Sequence, residues 1–124
     1  MKSSLPTRLA AYLPSQNERV GLLLSNGQLI ELENVSPEPD KSFSVDPAAL
    51  VQHEDDAVAT WHTHPTGPAG LSGQDYLGFL QWPDLLHLIV SPEGCLGYII
   101  RKGAVLNDAG QDHPAWGLEG DVAL

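Results

Sequence analysis

The chain has 124 residues and a formal charge of −10, with 16 Asp and Glu against 6 Lys and Arg. That length suits one domain, and 42% hydrophobic content is enough to fill its core. The acidity argues against a phosphate backbone or an anionic membrane as partner, and a single cysteine, Cys95, rules out an intrachain disulfide.

One thiol fits a reducing, cytoplasmic compartment. Lys2 and Arg8 are not followed by the apolar stretch of about 7–15 residues that a signal peptide needs. No apolar run is long enough to span a bilayer.

The elements follow in chain order. Residues 4–13 predict a short amphipathic helix, with Leu5, Leu9, Tyr12 and Leu13 at helical spacing and Pro14 closing it. Val20 to Leu24 reads as a buried strand. Asn26-Gly27 is a hairpin signal that sends Gln28 to Val35 back as the second strand. Pro37 to Asp40 is a loop, and Phe43 to Val45 reads as a brief edge strand. Asp46 caps a short helix through about residue 53, with Pro47 at its first position. Ala57 to His62 is a strand, and residues 73–82 predict a helix with Tyr76, Leu77, Phe79 and Leu80 as its apolar stripe. Leu85 to Val90 and Leu96 to Arg101 are strands around a Ser91-Pro92-Glu93-Gly94 turn, and Ala104 to Leu106 is a last short strand. The expectation is an α/β fold, a single domain with a mixed β-sheet flanked by helices. Residues 107–124 read as an acidic, loosely ordered tail in which Trp116 docks on the body.

Chemistry concentrates in residues 62–75. His62 and His64 are two apart, so on an extended strand both imidazoles leave the same face while Thr63 points away. Pro65 ends the strand and a Gly- and Pro-rich loop folds the chain back toward Asp75. Two imidazoles and one carboxylate leave one tetrahedral position open, as in a catalytic zinc site. Ser72-Gly73-Gln74-Asp75 also reads as a helix capping box, and a cap that fixes the helix start would aim Asp75 at the histidines. Both readings stand. Glu18 is by itself an ordinary loop carboxylate. His53 reads as solvated and His87 as a core or edge histidine. His113 is a weak adventitious ligand, and Cys95 a small hydrophobe. Trp61, Trp82 and Trp116 read as apolar anchors.

Taken together, the residues resemble the JAMM (MPN+) family of zinc metallopeptidases. Its signature is an upstream Glu, then His-x-His-Pro, then Ser-x-x-Asp. Here these are Glu18, His62-Thr63-His64-Pro65 and Ser72-Gly73-Gln74-Asp75, with Glu18-x-x-Gly21-Leu-Leu-Leu similar to the family's first strand entry. The resemblance runs from about residue 5 to 106 and implies a curled mixed sheet similar to that of cytidine deaminases, in a domain of residues 1–106. It assigns His62, His64 and Asp75 as ligands of one zinc per chain, with water as the fourth ligand. Glu18 becomes the general base and Ser72 the donor to the oxyanion. The implied activity is hydrolysis of a peptide or isopeptide bond.

Two short prokaryotic branches fit the likeness, and each implies a substrate. Phe43-Ser44-Val45-Asp46-Pro47 and His64-Pro65-Thr66-Gly67-Pro68 resemble the phage tail assembly branch. The other branch trims ubiquitin-like sulfur carriers. The minimal loop from His64 to Ser72 leaves no room for the insertions with which eukaryotic relatives grip ubiquitin. A non-catalytic assembly module on the same fold is the rival reading. A non-haem iron enzyme, which also uses two His and a carboxylate, is a third. Oligomeric state is not legible.

Overall fold

In the computed structural model, residues 2–13, 15–65, 81–107 and 113–121 are described. A six-stranded sheet organises them in the order β3-β2-β4-β5-β6-β7. Its strands are β2 (Val20–Leu24), β3 (Leu29–Leu32), β4 (Ala57–Thr63), β5 (Leu86–Ser91), β6 (Gly94–Arg101) and β7 (Ala104–Asn107). Every neighbouring pair is antiparallel except β4 and β5, which run parallel in register His62 to Ile89. A parallel pair needs a long crossover, and residues 64–85 supply it. The helix expected over 73–82 falls within that crossover, and residues 73–80 lie outside the described residues. This is the predicted α/β domain with a mixed sheet.

Period-two alternation gives the sheet two faces. Ala59, Trp61 and Thr63 of β4 share one face with Leu86, Leu88 and Val90 of β5. Helix α1 (Leu5–Ala10) covers that face, and Leu5, Leu9 and Tyr12 complete the core against them. Each fully buried leucine there contributes about 1.5–3 kcal/mol. Because β5 is buried along its whole length, its sequence is a nearly unbroken apolar run instead of an alternating one. Gly21 is required by close approach: a Cβ there would collide with the Ile30 carbonyl oxygen and the Trp61 indole.

Short helix α2 (Pro47–Val51) starts as expected, with the Asp46 carboxylate accepting from the Ala48 amide at 2.9 Å. Phe43 to Val45 is not a strand. The chain leaves β3 at Leu32, earlier than the predicted end at Val35, because Asn34 turns it into a loop. The β6–β7 hairpin turns at Lys102-Gly103, both with positive φ (53° and 76°), the conformation of a type I′ turn.

The expectation of a loosely ordered tail is corrected for residues 113–121. A 3₁₀ turn, η1 (Pro114–Gly117), leads into β8 (Gly120–Asp121), which pairs antiparallel with β1 (Lys2–Ser3). Trp116 lies on the sheet where Gly97 has no side chain, and Ala115 is buried in the core. Arg8, buried in α1, donates to the carbonyls of Gly27 (2.6 Å) and Leu118 (3.1 Å), tying this segment to the hairpin. His113 acts here as a cap: its Nδ1 accepts from the Ala115 amide. Among the described residues no helix is long and apolar enough to cross a membrane.

Candidate metal centre

β4 carries His62 near its end and His64 just beyond it. Their Nε2 atoms lie 3.1 Å apart. Two nitrogens sharing one tetrahedral zinc at about 2.0–2.1 Å stand about 3.3 Å apart, so the imidazoles already hold nearly the spacing of a chelating pair. His62 is 1% exposed, and the Phe43 ring stacks beside it at 4.6 Å between centroids. Phe43, expected in an edge strand, instead walls the site from a loop.

Antiparallel pairing brings in Glu18. Val20 sits opposite His62, so two residues earlier the chain passes the end of β4. The ligand atoms of Glu18, His62 and His64 all lie within 4.8 Å of one another, and Glu18 is buried. A buried carboxylate beside two imidazoles suits a divalent cation: carboxylate oxygen and imidazole nitrogen are the donor set zinc accepts, and burial holds them in place. The residues present therefore fit such a metal. Ser72 and Asp75, expected as oxyanion donor and third ligand, lie outside the described residues.

Sequence reasoning missed what holds Glu18 there. Thr63, which points away from the imidazoles as expected, uses its hydroxyl to accept from the Arg19 amide at 2.8 Å. The Thr63 amide in turn donates to the Arg19 carbonyl at 2.8 Å. Arg19 continues outward in a two-pronged bond to Glu31 (2.6 and 2.7 Å) and donates to the Tyr12 carbonyl. Glu31 pushes its guanidinium pKa up, chiefly through that hydrogen bond. On the other side, the Asn34 amide donates to the Glu18 carbonyl (2.8 Å) and the Ser42 carbonyl (3.1 Å). The Asn34 side-chain oxygen accepts from the amides of Ser36 and Ser44. The Glu18 amide donates to the Pro39 carbonyl at 2.7 Å. The signal for Asn34 was Ser36-Pro37 two residues on, a turn composition that outweighed its apparent place in a strand.

His87 is a structural histidine, as its apolar setting implied. Nε2 faces the Trp82 carbonyl at 2.9 Å and must donate, so Nδ1 accepts from the Thr60 hydroxyl at 2.8 Å. Burial pushes its pKa down to about 4 against the raising effect of the Trp82 bond, with small lowering contributions from His62 and His113. Burial pushes the Cys95 thiol up to about 12, which leaves it a protonated hydrophobe and no nucleophile.

Fold and site together define an α/β domain with a metal-competent Glu–His–His cluster at the carboxyl end of a parallel strand pair, where open α/β sheets place their ligands. The chain belongs to the family of prokaryotic homologs of the JAB domain, whose model matches residues 7–102. It is similar to the solution structure of protein DSY2949 from Desulfitobacterium hafniense, at 27% identity and a TM-score of 0.61, with 82% of each chain covered. No curated protein matches it.

Proposed function

We propose that the chain is a zinc-dependent metallopeptidase or isopeptidase. The observation that carries this reading is the burial of Glu18 beside both imidazoles, with ligand atoms within 4.8 Å. His62 and His64 hold the metal, and Asp75, by family resemblance, completes its protein ligands. Zinc, when bound, supplies a Lewis acid that polarises the scissile carbonyl and acidifies water. Glu18 takes the proton of the attacking water and returns it to the leaving amine. Ser72 donates a hydrogen bond to the developing oxyanion. The substrate is an extended peptide or isopeptide segment of a protein, and a ubiquitin-like sulfur-carrier tail or a phage tail protein are the sources that the sequence likeness offers. The site of action is the cytoplasm.

Metal content by mass spectrometry tests the site. About one zinc per chain, lost in both His62→Ala and Asp75→Ala, is expected. Glu18→Gln keeps the metal and loses hydrolysis of a peptide library. A metal-free wild type after zinc is offered overturns the reading. Zinc binding with a stable stoichiometric protein complex and no cleavage favours an assembly module instead.

A further inference from the structure

The second face of the sheet carries a cleft that reaches from the metal centre toward the start of β4. At its far end, near the start of β4, is a cavity of about 530 Å³ with an apolar floor that includes Leu22, Leu50, Val58 and Trp82. Glu54, Asp55 and Asp84 line it with His113, and no Lys or Arg does so among the described residues. A second cavity of about 170 Å³ shares Leu22, Leu50, Thr60, Gln81 and Trp82 with the first and extends to Phe43 and His62. The two therefore form one trough along β4. From Ala57 to His62 a strand rises about 16 Å, the span of roughly five residues of extended peptide.

We propose that this trough binds an extended substrate segment with a basic side chain about five residues from the bond at the metal centre, and apolar side chains between. Charge selects the occupant. Three carboxylates on the lining, against His113 there and Arg101 on the far side of Asp84, attract Lys or Arg and repel an acidic segment. The Trp82 indole gives a guanidinium or ammonium an aromatic face, and the leucines take the apolar stems. The register to the scissile bond rests on the metallopeptidase reading; the preference for a basic–apolar segment does not.

The test uses the full chain and two fluorescent peptides of about ten residues, long enough to fill the trough. Both are Gly/Ser sequences with two Leu, one containing an Arg and the other a Glu in its place. Binding is read by anisotropy for wild type, Glu18→Gln and the triple variant Glu54→Gln/Asp55→Asn/Asp84→Asn. The three changes are exposed and nearly isosteric, and circular dichroism checks the fold. The Arg peptide should bind wild type and Glu18→Gln alike and weaken about tenfold in the triple variant, with salt eroding the difference. The Glu peptide should bind about tenfold more weakly than the Arg peptide to wild type. Equal binding of the two peptides, no binding of either, or an unaffected triple variant overturns the proposal. Cleavage by wild type about five residues from the Arg supports the register, and cleavage elsewhere overturns it. Binding without any cleavage overturns the metallopeptidase reading and the register with it, and leaves the docking preference standing.

Discussion

Thr63 and Arg19 bond to each other twice: the hydroxyl and amide of Thr63 meet the amide and carbonyl of Arg19, both at 2.8 Å. The residue between the two metal-competent histidines thus fixes the residue next to Glu18. A single strand end sets the spacing of the imidazoles and, through its opposite face, the position of the carboxylate.

Replacing Thr63 with Val keeps the shape and the amide bond and removes the hydroxyl. The Arg19 amide then loses its acceptor, at a cost of about 1–3 kcal/mol in stability. Zinc content should stay near wild type while the hydrolysis rate falls, because Glu18 loses one of its anchors and the imidazoles keep theirs. Loss of metal and activity in parallel would instead make Thr63 a support of the histidines. Zinc analysis and turnover on the same samples separate the two.

Asn34 is the other anchor. Its amide and carbonyl oxygen gather Glu18, Ser36, Ser42 and Ser44. Asn34→Ala strips these bonds from a half-buried loop and should cost about 2–3 kcal/mol in urea denaturation. Asn34→Asp retains the acceptor and lacks the donor, so it should restore the loop only in part and place a second negative charge near Glu18. An Asn34→Ala midpoint equal to wild type would remove Asn34 from this role.

His87 predicts an acid limb in stability. Its pKa is about 4 folded and near 6.5 unfolded, so between these values only the unfolded chain takes up the proton. Stability therefore falls as pH drops from about 6.5 through 4, by up to about 3 kcal/mol, and His87 contributes no slope above that window. Urea midpoints across this range, with a chelator present so that metal release does not enter, should flatten in His87→Gln. Identical slopes would show that His87 protonates in place.

Lys102 holds φ of 53° in the β6–β7 turn, a conformation Gly and Asn adopt more readily. Lys102→Asn should raise the melting midpoint, by an equivalent of about 0.5–1 kcal/mol. The variant touches neither site nor trough, so its metal content and peptide binding should match wild type. A lowered midpoint would mean that the lysine side chain contributes more than its backbone costs.

Much of this was legible because local pattern and tertiary role agreed. Val20 to Leu24, the Asn26-Gly27 turn and β4 emerged where alternation and turn chemistry placed them, and His62 and His64 share a face because a strand has period two. Glu18 was legible only through the family likeness, since its approach to the histidines depends on strand pairing at long range. Asn34 and Phe43 were misread as strand because propensity cannot see a side chain that bonds five backbone groups. The 113–121 segment looked too polar and Gly-rich to be ordered. What orders it is remote: the buried Arg8, the bare surface of Gly97, and the pairing of β8 with β1.

That last pairing sets Lys2 beside Asp121, so residues 2–121 trace a nearly closed path in space. A short linker across this gap would let the path be opened elsewhere, and the Lys102-Gly103 turn, exposed and remote from Glu18, is a natural place to cut. Two segments more than a hundred positions apart in sequence thus leave the domain at one corner, so a strain applied to β1 is carried directly by β8.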